Sequence, residues 1–94
     1  MRQYDRAQPL YEQCLEKYRQ VLGHDHPDTL MSMNNLAVLY EKMGQYDRAQ
    51  PLYEQCLEKR RQVLGDDHPS TLASVKNLRL FRQEAEQRSK AGKT

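Results

Sequence analysis

The sequence predicts an all-α chain, four helices stacked as a right-handed α-solenoid segment. Three observations predict it. A long stretch recurs at a fixed offset of 42 residues, apolar residues inside each copy fall at steps of three and four, and Gly and Pro stand where one helix must stop and the next begin. Residues 4–17 read YDRAQPLYEQCLEK, and residues 46–59 read the same. The match resumes as RQVLG at 19–23 and 61–65, as DHP at 25–27 and 67–69, and as TL at 29–30 and 71–72. A unit of this kind cannot bury its apolar face alone, so neighbouring copies stack.

The first helix is expected at about 4–22, with Ala7, Leu10, Tyr11, Cys14, Leu15, Tyr18, Val21 and Leu22 on one stripe. Gly23 follows it, where a glycine relieves the left-handed C-terminal turn. Pro27 opens the second helix at the position where a missing N–H does no harm. That helix is expected at 27–43, its stripe being Leu30, Met33, Leu36, Ala37, Tyr40 and Met43, and Gly44 ends it. The third, at 46–64, repeats the first through Ala49, Leu52, Tyr53, Cys56, Leu57, Val63 and Leu64, and is closed by Gly65. Pro69 starts the fourth, at 69–88, with Leu72, Val75, Leu78 and Phe81 turned inward. Pro9 and Pro51 lie inside their helices, which predicts a small kink or a late helix start. Residues 89–94 form a basic, polar tail expected to fray. Helices joined by turns this short pack antiparallel, and residues 1–94 make a single domain.

Composition narrows the function classes. The chain is 37% hydrophobic and 30% charged, with a formal net charge of +2. Lys and Arg alternate with Asp and Glu along most of its length. This is a solvated helix surface; a basic stripe that would track nucleic-acid phosphates is not present in the sequence. No apolar run approaches the roughly 20 residues of a membrane span. Arg2, Gln3, Asp5 and Arg6 interrupt any signal-peptide pattern, and a cytoplasmic setting is expected.

Candidate chemistry is sparse. His24-Asp25-His26-Pro27-Asp28 has residue types that ligate metals, but its copy reads Asp66-Asp67-His68-Pro69-Ser70. The plainer role is to end one helix and start another, with His26 and His68 as N-caps and no metal expected. Cys14 and Cys56 occupy equivalent points on parallel helices, whose spacing of about 8–10 Å exceeds that of a disulfide bridge. Both sit on the apolar stripe and are expected to be free core thiols. No nucleophile-and-base spacing and no Gly-rich phosphate loop is found, so neither an enzyme nor a cofactor is expected.

The run NNLAVLYEKMGQYDRAQPLYEQCLEKRRQVLGDDHPSTL resembles the tetratricopeptide repeat in a 42-residue form like that of kinesin light chains. Leu36, Ala37, Tyr40, Gly44, Tyr46, Ala49, Tyr53 and Cys56 carry the family's alternation of small and large residues, with Cys56 where the family often has Ala. The resemblance covers residues 3 to about 85. The usual unit has about 34 residues, so eight are added to the second helix and its loop. The chain also departs at its end, where Ala37, Tyr40 and Gly44 become Arg79, Arg82 and Glu86, the pattern of a polar end cap. It begins with the second helix of a unit.

The resemblance implies a scaffold that binds a peptide or protein through its concave face, lined by the first helix of each unit. Asn35 and Asn77 would hold a peptide backbone there, with Asn34 and Lys76 beside them. Residues three and four away share the face, which adds Met31, Val38 and Lys42 around Asn35, and Ala73, Leu80 and Glu84 around Asn77. The residues alone leave a second role open, in which Asn35 and Asn77 bond a neighbouring helix and fix the stacking. Two groove helices are few, so weak affinity is expected. The first helix keeps the stripe of the third without a preceding helix to cover it. Ala7, Tyr11, Cys14 and Tyr18 are therefore expected to mediate self-association, most simply as a homodimer. The near-identical copies also fit an alternative, a self-associating repeat fragment or a consensus-like designed array with no partner of its own.

Overall fold

The computed structural model describes residues 2–91; Met1 and residues 92–94 lie outside the description. Four helices follow one another, α1 (Arg2–Leu22), α2 (Pro27–Lys42), α3 (Tyr46–Leu64) and α4 (Pro69–Ala91). No strand occurs among the described residues. The packed pairs are α1–α2, α2–α3 and α3–α4, so each helix rests on its chain neighbours in the manner of a solenoid.

The helix ends are made by the residues that the repeat keeps. His26 is the N-cap of α2, its Nδ1 accepting a hydrogen bond from the Asp28 amide at 3.0 Å, and Pro27 follows. His68 does the same for the Ser70 amide at 3.0 Å before α4. At the end of α2 the Gln45 amide donates to the Tyr40 carbonyl at 2.9 Å and the Gly44 amide to the Glu41 carbonyl at 3.0 Å. These two bonds close a Schellman turn, and Gly44 supplies the left-handed residue it needs, at φ +79°.

Several helix details differ from expectation. α1 already begins at Arg2, and α4 runs through Ser89 to Ala91 where a frayed tail from residue 89 was expected. No breaker precedes Gly92, and Arg88 anchors the last turns through Glu84 at 4.0 Å and over the Tyr46 ring at 5.4 Å. The rest of that tail, residues 92–94, lies outside the description. Pro9 and Pro51 lie within unbroken helices, and neither helix starts late. Each proline removes only its own backbone donor.

The core sits between α2, α3 and α4. Leu30, Ala37, Ala49, Tyr53 and Cys56 are buried there, and Phe81 from α4 meets Tyr53 at 5.1 Å and Tyr46 at 5.6 Å between ring centroids. Not every stripe residue is inside. Val21, Leu22 and Val63 are exposed because α1 and α3 overhang the start of α2. Cys56 touches the Leu30 carbonyl. Val63 lies seven residues further on, about 10 Å, whereas α2 has only about three residues beyond Leu30. Leu10 is exposed although Leu52, its copy, is half-buried on the side where α1 lies. Leu72 is exposed although its copy Leu30 is fully buried, because no helix covers α4 as α3 covers α2.

Candidate interaction surface

α3 is held on two sides. Towards α2, the Tyr53 hydroxyl donates to Glu41 Oε1 at 2.7 Å, and Cys56 Sγ donates to the Leu30 carbonyl at 3.3 Å. Towards α4, Arg60 is buried and its Nη1 donates to Ser74 Oγ at 2.7 Å and to the Ser70 carbonyl at 3.2 Å, neutral acceptors that solvate the guanidinium in place of water. Burial pushes the Cys56 thiol above its ordinary range, against the pull of Arg60 and Ser74. Burial and then the neighbouring Glu41 push the Tyr53 phenol up in the same way.

α1 has the same sequence over residues 4–17 but one side fewer. Ala49 and Tyr53 are 0% and 3% exposed, whereas Ala7 is half-buried and Tyr11 is 41% exposed. Cys56 is buried and Cys14 is exposed, both as free thiols. This corrects the expectation of two core cysteines: identical local sequence cannot bury Cys14 when no α2-like helix covers it. Tyr18 is half-buried where the second copy places Arg60.

The helices α2 and α4 meet at an amide pair, Asn77 Nδ2 donating to Asn34 Oδ1 at 3.2 Å. This is the interhelix bond that the sequence had left open as a role for Asn77. Asn35 is exposed, as are Met31 and Lys42 on α2 and Lys76 and Leu80 on α4, while Val38 is half-buried. Glu84 lies beside Glu41. Burial first, and then Glu84, raise the Glu41 carboxyl above the ordinary range, with Tyr53 and Lys42 acting the other way.

Two sets of residues that the sequence separates share one hollow. Asn35, Val38 and Lys42 of α2 line it together with Ala7 and Tyr11 of α1, around a volume of about 310 Å³. Gln3, Tyr4 and Leu39 complete the lining. Sequence reasoning missed Arg60, although its alignment with Tyr18 puts a charge on an apolar stripe, and that signals a buried polar partner. It also missed two tyrosine–carboxylate links between neighbouring helices, Tyr53–Glu41 and Tyr40–Glu12.

The loop residues have structural work: His26 caps α2, and Asp25 pairs with Lys59 of α3 at 2.9 Å. Among the described residues no group of three or more His, Cys, Asp or Glu is arranged to hold a metal. No described helix is long and apolar enough to cross a membrane. A family model for the tetratricopeptide repeat matches residues 1–62 and again residues 34–78. Comparison with curated proteins gave no match.

Proposed function

Because the chain belongs to the tetratricopeptide repeat family, whose members generally mediate protein–protein interactions, we propose that it is a non-enzymatic scaffold that binds a peptide or protein partner across the face shared by α2 and α4. The observation that carries this reading is the exposure of Met31 and Leu80, two large apolar side chains 56% and 49% exposed, on the helices that the Asn34–Asn77 pair joins. Lys76 and Lys42 add positive charge to that face, and Glu84 adds negative charge, so the face has no single sign. Such a surface suits an extended segment held by a few apolar contacts and side-chain amides. Selection from a random peptide library should enrich binders that Met31→Glu with Leu80→Glu abolishes. Enriched peptides indifferent to both changes would remove this face from consideration.

Self-association is the second reading, favoured by the contrast between α1 and α3. Ala7, Tyr11, Cys14 and Tyr18 form the face that a second copy would cover, most simply across a two-fold axis. Light scattering after size exclusion should give twice the mass of one chain at tens of micromolar, and Tyr11→Glu should return it to a monomer. A monomer mass for the parent protein at that concentration would defeat the reading.

A further inference from the structure

The back of α2 is the floor of a trough walled by α1 and α3. Met33, Leu36 and Tyr40 lie there, about half a turn round the helix from Met31 and Asn35. The trough has two lobes, of about 440 and 170 Å³. Leu15 and Leu52 wall the larger one above Leu36 and Tyr40, and the smaller one lies over Met33 beside His24. Arg19 of α1 lines both lobes and so stands at their junction. Neither lobe shares a residue with the hollow at Ala7 and Tyr11.

Arg19 is the uncompensated group of this trough. Its Nε is buried and has no hydrogen-bond partner among the described residues. Moving forward by 42 residues turns Arg19 into Arg61, whose Nε lies 3.8 Å from Asp66 Oδ1. The same step turns His24 into Asp66. The first unit thus carries an imidazole where the second carries the carboxylate that meets this nitrogen. Most other charges of the trough are engaged within the chain. Glu12 accepts from Gln8 and Tyr40, Glu58 accepts from Gln62, Lys59 pairs with Asp25, and Arg48 lies over the Tyr40 ring. Asp47 is exposed beside Arg48. A half-buried guanidinium between two apolar lobes favours a carboxylate, since charge-assisted hydrogen bonds are roughly twice as strong as neutral ones.

We propose that this trough binds an extended acidic segment of a partner protein, one that sets a carboxylate on Arg19 and a large apolar side chain in each lobe. Spacing selects the pattern. Met33 and Tyr40 stand seven residues apart on α2, about 10 Å, and the lobes reach beyond them. In an extended chain residues i, i+2 and i+4 face one way and span about 13 Å. The carboxylate therefore belongs at the middle position, with the apolar side chains two residues to either side. The smaller lobe has room for one side chain and not for a helix, which is about 10–12 Å across.

The probe is the blocked peptide acetyl-Leu-Thr-Glu-Thr-Leu-amide, whose β-branched threonines favour the extended form. It is titrated into the whole protein and followed by nuclear magnetic resonance. The resonances of Leu15, Arg19, Met33 and Leu36 should shift. Gln in place of the peptide's Glu should weaken binding about tenfold, and so should Arg19→Gln in the protein. The two losses should not add, because both break the same contact. His24→Asp gives Arg19 the carboxylate that Arg61 has, and should weaken the peptide to a similar extent; it guards against a packing defect in Arg19→Gln. Met31→Glu with Leu80→Glu should leave this binding unchanged, so the trough and the face shared by α2 and α4 fail separately. Absence of shifts at about 1 mM peptide overturns the proposal. So does a Gln peptide that binds as tightly as the Glu peptide, or binding indifferent to Arg19→Gln or to His24→Asp.

Discussion

Cys14 and Cys56 share a local sequence and differ in everything that tertiary contact decides. Cys56 is enclosed by the Leu30 carbonyl and Ser74 Oγ, at 3.3 and 3.8 Å, and its thiol is pushed up by burial. A thiol reagent at neutral pH should therefore titrate Cys14 at once and Cys56 about a hundredfold more slowly, both becoming equal in denaturant. Equal native rates would mean that α2 does not hold α3 as described. Glu41 gives a second test at this scale. Its folded-state pKa is raised, so its contribution to stability is present below the ordinary carboxylate range and is lost as pH climbs through the raised value. Glu84→Gln removes one cause of that rise. It should stabilise the protein at pH 7 by less than about 1 kcal/mol, net of its exposed pair with Arg88, and the gain should close towards pH 4. Thermal melts at the two pH values check this; a gain of equal size at both would assign the effect elsewhere.

At the scale of the helices, the sequence was legible wherever local chemistry decides and obscure wherever a neighbour does. Gly23, Gly44, Gly65, His26, His68, Pro27 and Pro69 mark turns that the structure contains, because a cap or a positive φ is set by the residue itself. Periodicity alone could not see that Val63 overhangs α2, nor that Leu72 lacks a covering helix, since both depend on where the partner ends. The groove residues were legible as one helix face, but their union with Ala7 and Tyr11 in one hollow required the packing of α1 on α2. The paired helices allow a direct measurement of that difference. Tyr53→Ala should cost about 3–5 kcal/mol, the price of an emptied aromatic site, while Tyr11→Ala should stay within about 1 kcal/mol. Chemical denaturation of the two variants checks it, and similar costs would mean that α1 is covered in solution. Gly44→Ala meets no atom within 4 Å, so its cost is conformational alone, about 1–2 kcal/mol for a residue held at φ +79°.

For the whole molecule, the two ends of the stack differ in character, and the difference decides how copies can meet. The α1 end presents Tyr11 and Cys14, both exposed. The α4 end presents Arg79 and Arg82 where α2 has the buried Ala37 and Tyr40. The interior link from Tyr40 to Glu12 has a counterpart here, Arg82 Nη2 lying 3.3 Å from Glu54 Oε2, so the same carboxylate position is kept but with an exposed cation on it. Desolvating those cations beneath another helix without partners costs several kcal/mol, which opposes head-to-tail addition of copies. Arg79→Ala with Arg82→Tyr restores the residues that α2 uses against α3. Since α1 repeats the α3 sequence, the double variant offers α1 of a second copy a seat that the parent denies it. Heterologous contacts of this kind do not close, so mass should grow with concentration beyond a dimer, with the helical circular dichroism unchanged. Adding Tyr11→Glu to the same variant should abolish that growth, because it spoils the other half of the contact. Should the double variant remain the size of the parent across tens of micromolar, the two arginines are not what limits the stack.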